Sequence, residues 1–488
     1  MGKARPIMVQ GTMSGAGKSL LVTALCRIFT EDGYRVAPFK SQNMALNSYV
    51  TKDGHEMGRA QVVQAAACGK EPDVRMNPVL LKPSTDTGSQ VIVNGEVLSH
   101  MPAQDYYAYK KELIPAVLEA YESLAAENDI IVIEGAGSPA EINLRQDDFV
   151  NMGLAALVDA PVLLAGDIDR GGVFAQLYGT VALLEPSERE RVKGLLINKF
   201  RGDVSLLGSG LSQLEALTGV PVLGVIPYLR LHLDEEDSLA PSLGQKAALR
   251  PVDVAVLRLP KISNFTDFAP LENHPVLGLR YVESADELGS PDLVILPGTK
   301  STLADLLWLR QTGLEAAVQK LAARDVPVLG ICGGFQMLGE ELADPDGVEA
   351  ETPSTVRGLG LLPRRTVFAK EKTRTRVQAD VRFRSDTVSV DGYEIHNGTT
   401  EPTDGSGASP ELLSSKNNVF GTYLHGLFDS GELTEALAKW LCERRGIAYE
   451  AIQPKTHDER QEEELTRLAS AVREALDMDA VYRILKGN

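Results

Sequence analysis

At 488 residues the chain is too long for one comfortable core, and at about 150 residues per domain it calls for two or three. Hydrophobic residues make up 43% and there are 44 glycines, an ordinary globular balance that excludes wholesale disorder. Acids outnumber bases 67 to 49, a formal charge of −18, which argues against nucleic acid or an anionic membrane as the main partner because both call for a basic footprint.

The first apolar run ends at Val9 in a glycine-rich loop, and no stretch approaches the roughly 20 apolar residues of a membrane span. The four cysteines, Cys26, Cys68, Cys332 and Cys442, lie far apart without metal-ligand spacing. A soluble cytoplasmic protein with reduced thiols is expected.

From Pro6 to about Tyr228, short β-rich runs alternate with amphipathic stretches. The runs are PIMVQ, YRVAPFK, DIIVIEG, PVLLAGD, VKGLLINK and PVLGVIP; the stretches include Lys18 to Thr30 and Tyr106 to Ala126. This pattern predicts a parallel α/β sheet buried on both faces, with ligands at the carboxyl ends of its strands. An acidic, Pro/Gly-punctuated linker is expected over 231–250. A second α/β pattern follows, with strands at VDVAVLRL, DLVILPG and VPVLGIC, and beyond Arg357 the alternation turns antiparallel. From His457 one amphipathic helix is predicted.

The sharpest signal in the first half is GTMSGAGKS, Gly11 to Ser19, after a strand and opening a helix. In that setting Gly11, Thr12, Gly15 and Gly17 shape a loop whose backbone amides wrap phosphates. Lys18 then reaches the terminal phosphates and Ser19 offers a hydroxyl to Mg²⁺. Gly11 sits six residues before Gly17, one more than the usual phosphate loop has. A second magnesium ligand is expected at Glu134, which ends the apolar strand of VIEGAGSP; Glu56 or Asp53 are further candidates. Asn198, at the end of VKGLLINK, either reads adenine or forms a local turn.

In the second half Cys332 lies in Gly330-Ile331-Cys332-Gly333-Gly334, between an apolar strand and a helix. This is a nucleophile-elbow pattern with sulfur as the nucleophile. Gly333 and the Leu296-Pro297-Gly298 loop are candidates for the oxyanion hole. The base is His425, in GTYLHGLF, or its rival His396, in GYEIHNG; the residues alone do not separate them.

GICGGFQMLG with the later YLHG resembles the type 1 glutamine amidotransferases, and GTMSGAGKS with EGAGS resembles the dethiobiotin-synthetase-like ATPases. The ordered strings PFKSQNMALN, EGAGSPAEINLR, DIDRGGVFA, INKFRGD, ISNFTDF and GTYLHGLFD are similar to the cobyric acid synthase family of adenosylcobalamin biosynthesis. The resemblance implies a two-domain α/β enzyme: a P-loop, dethiobiotin-synthetase-like domain over 1–230 and a glutamine amidotransferase domain over 251–445. A C-terminal helical segment over 446–488 completes it. It implies a glutamine-hydrolysing ligase that uses ATP, Mg²⁺ and glutamine to amidate four carboxylates (b, d, e and g) of adenosylcobyrinic acid a,c-diamide. By position, Cys332 is then the glutaminase nucleophile, His425 its base, and Asn198 falls where relatives contact adenine. Ordinary type 1 domains carry Glu two residues after the histidine, where this chain has Leu427. Asn43, Asn47, Arg145 and Arg170 are corrinoid candidates from loop position. The rival readings are cobyrinic acid a,c-diamide synthase and, from another class, a switch ATPase with a glutamine-sensing module. The switch ATPases carry a lysine early in the loop, where this chain has Met13.

Overall fold

Apolar residues alternate between two faces along each of the six runs in the first half, and each run is a strand. They are β1 (Arg5–Gly11), β2 (Val36–Phe39), β3 (Ile130–Glu134), β4 (Val162–Asp167), β5 (Val192–Phe200) and β6 (Val222–Pro227). In this computed structural model, which describes residues 4–83, 88–234, 250–350, 352–405, 411–453 and 455–487, they form one sheet in the order β6-β5-β4-β1-β3-β2. Every neighbouring pair is parallel. Met8, Ile131, Ile133, Leu164 and Ile197 bury themselves on one face, and Ile7, Val9, Val132, Leu163 and Leu196 on the other. That is the period-2 consequence of a strand pleat between two layers.

β1 is central, so its carboxyl end is flanked by those of β3 and β4. The register sets Val9 beside Glu134 and Gly11 beside Ala165, and further out Asp167 beside Asn198. Helix α1 (Lys18–Glu31) starts directly after the loop that leaves β1. A smaller sheet of Gln42–Met44, Val79–Pro83, Gly88–Val93 and Glu96–Pro102, absent from the sequence expectation, follows β2.

The chain divides into two compact units: 1–44, 57–233 and 461–488 in one, 45–56 and 234–460 in the other. Two stretches thus depart from the expected boundaries. Residues 45–56 join the second unit, where Val50 packs with Tyr393 and Ile395. The segment expected over 446–488 divides at Arg460. Its helix His457–Ala475 presents Leu465, Leu468, Ala469 and Val472 at helical spacing, and these join the first unit's core with Leu21, Leu25 and Ile28 of α1. The linker expected over 231–250 lies outside the described residues from 235 to 249.

The second unit has a sheet built from β7 (Val252–Leu257), β8 (Leu277–Val282), β9 (Leu293–Leu296) and β10 (Val328–Ile331). β11 (Arg364–Phe383) and β12 (Asp386–Pro402) form the long antiparallel hairpin expected beyond Arg357. The chain then returns through β13 (Ser414–Lys416) and β14 (Val419–Thr422), giving the order β8-β7-β9-β10-β14-β13 with only the last pair antiparallel. One residue after β14 it crosses into the hairpin's sheet as β15 (Leu424–His425), pairing His425 with Tyr393.

Candidate active site

The phosphate-loop residues gather at the carboxyl end of β1. Gly15 and Gly17 both have positive φ, 73° and 88°. At Gly17 the need for glycine is also steric, since a Cβ there would lie 2.1 Å from Asn198 Nδ2. Lys18 is buried and donates to the carbonyls of Met13 and Gly137, at 3.1 and 3.0 Å, so it bridges the loop and the segment after β3. Burial, against the pull of Glu134, lowers its pKa to about 8. Ser19 Oγ donates to Glu134 Oε1 at 2.8 Å.

Glu134 is fully buried, and its charge is matched from several sides. Lys40 Nζ lies 2.9 Å from Oε1, and Gln64 donates to Oε2 at 2.5 Å. Burial alone would raise its pKa; Lys40, Gln64 and Ser19 outweigh that and hold it below the usual carboxylate range. Lys40 and Gln64 did not emerge from the sequence. Lys40 directly follows β2, so a polar residue ending an apolar strand, the signal that found Glu134, would have found it too.

Asp167 ends β4 in the same way and was also missed. Its Oδ2 takes the Lys199 ammonium at 2.9 Å, and Lys199 donates as well to Gly15 O at 2.6 Å. Asn198 Nδ2 donates to Ala16 O at 2.9 Å while its Oδ1 accepts the Lys199 N–H at 2.9 Å. Asn198 therefore supports the phosphate loop from below. The amide expected to read adenine is engaged with backbone, because β5 runs beside β4 and ends under the loop. Lys199, at φ 62°, lies within β5 where the pairing with β6 shifts register between Ile197 and Phe200.

Glu56, the further magnesium candidate, lies at the end of the segment 45–56. It belongs to the second unit and is fully buried in an ion pair with Lys372. Asp53 is in the same segment. Of the corrinoid candidates, Asn43 is buried and donates to Gln61 at 3.0 Å, and Asn47 is buried in the second unit. Arg145 turns back to Glu185 at 3.0 Å and to the Leu183 carbonyl. Arg170 is 67% exposed and 4.0 Å from Asp167.

The elbow stands at the end of β10. Cys332 has φ 51° and ψ −110°, an unusual conformation for a residue with a Cβ. Its N–H donates to Thr422 O at 2.8 Å and its carbonyl accepts from Gln336 N at 3.0 Å, so strand and helix α2 (Gly333–Leu338) pin it from both sides. The helix can start so near the sheet because Gly334 has no Cβ, which would lie 2.0 Å from Leu296 O. A Cβ on Gly298 would lie 3.0 Å from His425 Cε1, so the Pro297–Gly298 turn borders the imidazole.

β10 pairs with β14 through Ile331 and Thr422, so the ends of the two strands are neighbours and β15 carries His425 on from there. His425 Nδ1 lies 2.7 Å from Asp267 Oδ2, and Asp267 Oδ1 accepts the Gly426 N–H at 3.0 Å. Burial pulls the imidazole pKa down, but the Asp267 charge and hydrogen bond, with a smaller contribution from Cys332, raise it to about 10. Asp267, in the short turn Phe265–Phe268 of ISNFTDF, supplies the orienting acid that is missing after the histidine. Leu427, at the position of the missing Glu, is buried in the core.

His396 is placed differently. Its ring stacks on Tyr423 at 3.6 Å between centroids, and Nδ1 meets the Gly398 carbonyl at 3.1 Å. Cys332 Sγ donates to Ile395 O at 3.5 Å. All four cysteines are free and buried. Among the described residues no helix is long and apolar enough to cross a membrane, and no group of three His, Cys, Asp or Glu is set to hold a metal.

Comparison with known proteins matches both halves. Residues 7–238 fit the model of the CobQ/CobB/MinD/ParA nucleotide binding domain, and residues 253–433 that of the CobB/CobQ-like glutamine amidotransferase domain. The chain is 54% identical to the cobyric acid synthase of Ruminiclostridium cellulolyticum, across 99% of this chain and 97% of that one. It is 52% identical to that of Lachnoclostridium phytofermentans, across 99% of both, and 50% identical to that of Yersinia enterocolitica, across 98% of both.

Proposed function

The chain belongs to the cobyric acid synthase family, and we propose that it amidates four peripheral carboxylates of adenosylcobyrinic acid a,c-diamide in the cytoplasm, using glutamine nitrogen and one ATP for each. The observation that carries this reading is His425 held between Asp267 and the elbow cysteine, in a chain that also has a complete phosphate loop. A switch ATPase has no use for the first of these. Likeness over nearly the whole length to proteins of this name supports it over the a,c-diamide synthase.

At the glutaminase centre the Cys332 sulfur bonds to the glutamine carboxamide carbon, and the C–N bond breaks. His425 takes the Cys332 thiol proton as the sulfur attacks and hands it to the departing nitrogen, releasing ammonia; the Asp267 charge favours the protonated imidazole in between. Water then hydrolyses the γ-glutamyl thioester to glutamate. The Gly333 N–H and the Gly298 turn are the groups available to the oxyanion. Asp267 holds the ring by its Nδ1 edge.

At the other centre a corrinoid carboxylate oxygen bonds to the γ-phosphorus of ATP, and ADP leaves. Ammonia then displaces phosphate from the acyl phosphate to give the amide. Lys18 offsets charge on the transferring group, and the loop amides cradle the remaining phosphates. Ser19 Oγ and Glu134, 2.8 Å apart, are hard oxygen donors of the kind magnesium takes, and they are the residues that would hold it; bound there, it neutralises phosphate charge.

Mass spectrometry of the corrinoid after incubation with ATP and glutamine tests the proposal. Each exchange of OH for NH₂ lowers the mass by about one unit, so a ladder of four such steps is expected. A ladder that starts from the unamidated acid and stops after two steps would contradict it in favour of the a,c-diamide synthase.

A further inference from the structure

Residues 45–56 precede the glutaminase residues by more than two hundred positions, yet they belong to the same unit. Ser48 is gripped at both backbone polar groups: its N–H donates to Asn264 Oδ1 at 3.2 Å, and its carbonyl accepts from Tyr393 Oη at 2.9 Å. Asn264 Nδ2 in turn donates to Tyr393 Oη at 3.2 Å. Tyr49 meets the Tyr393 ring edge-on at 5.4 Å, and the Val50 side chain packs with Tyr393 and Ile395. Arg376 donates to Tyr49 Oη at 2.8 Å, and Lys372 pairs with Glu56, so the segment is anchored at both ends.

Three of the residues it touches, Tyr393, Ile395 and Asn264, border a catalytic group. The Tyr393 ring lies over His425, 5.5 Å between centroids and 25° from parallel. The Ile395 carbonyl takes the Cys332 thiol. Asn264 shares a turn with Asp267, whose N–H donates to Asn264 O at 3.0 Å. Asp267 restrains the imidazole only from its Nδ1 edge; the Tyr393 face restrains its tilt.

We propose that Tyr393 is a positioning residue of the glutaminase, and that Ser48–Val50 is the platform that sets it. The proposal rests on the glutaminase reading above. Tilting the imidazole moves the proton away from the departing nitrogen without altering the pocket that binds glutamine, so the effect falls on kcat and spares KM.

The test compares Tyr393→Leu, Tyr393→Phe and Val50→Ala in the full-length protein. Glutamine hydrolysis is read as kcat and KM, and ammonium-driven amidation is the control. Tyr393→Leu loses both the stack and the Ser48 contact, and kcat is expected to fall about a hundredfold, the scale of a 1 Å misplacement. Tyr393→Phe keeps the stack and is expected to fall about three- to tenfold, with Val50→Ala in the same range. KM for glutamine and amidation from ammonium stay near wild type in all three. An unchanged kcat in Tyr393→Leu overturns the proposal, and so does a parallel loss of ammonium-driven amidation, which would assign Tyr393 to general folding. A change confined to KM also overturns it. A wild-type protein without glutaminase activity would overturn the functional reading and this inference together.

Discussion

His425 owes its proton to a residue 158 positions earlier in the chain. Because Asp267 raises the folded-state pKa above the ordinary histidine value, to about 10, the pair contributes stability that is complete below about pH 6.5 and is lost as pH rises towards 10. Asp267→Asn removes that linkage. Its stability deficit relative to wild type, measured by urea unfolding, is expected to be largest near pH 6 and to shrink by pH 10. Glutaminase kcat should fall by about a hundredfold or more, since Asn presents an N–H to Nδ1 and favours the wrong tautomer. A deficit that does not change with pH would contradict the assignment. Asp267 was not legible as a ligand in ISNFTDF, because nothing in a linear pattern says which acid a distant turn brings to a histidine. Cys332 was legible: an elbow is made by adjacent residues, Gly330 to Gly334, whose spacing states its own geometry.

At the scale of elements, β5 acts as a support for the phosphate loop. Asn198 and Lys199 tie the carbonyls of Ala16 and Gly15 to the sheet, and Asp167 neutralises the lysine. Asn198→Ala removes one buried hydrogen bond to the loop, worth about 1 kcal/mol. The KM for ATP is expected to rise severalfold while glutamine hydrolysis keeps its wild-type rate. If Asn198 instead reads adenine, the variant would lose the preference for ATP over GTP, so nucleotide competition separates the two roles. The six strands of this sheet were readable because each is a short apolar run closed by a polar cluster. The small sheet from Gln42 to Pro102 was not, since its outer strand Glu96–Pro102 is largely exposed and carries no apolar alternation. The burial of Glu56 was not legible for a related reason: a carboxylate flanked by loop residues reads as solvated, whereas the structure pairs it with Lys372, far along the chain.

At the scale of the molecule, the phosphate-loop residues Gly11 to Ser19 with Glu134 lie in one unit, and Cys332, His425 and Asp267 in the other. The division into an ATPase-like and a glutaminase-like half was visible in the motifs. The exchange of 45–56 and 461–488 between units was not, because it depends on which apolar face is left for them to cover. The central claim is that Cys332 serves only the release of ammonia. Cys332→Ala, assayed for corrinoid amide formation with glutamine and then with concentrated ammonium above pH 8, tests it most directly. The account predicts no amidation from glutamine and restored amidation from ammonium, with one ATP consumed per amide. A folded, ATP-binding variant that remains inactive with ammonium, or one that still uses glutamine, would contradict it.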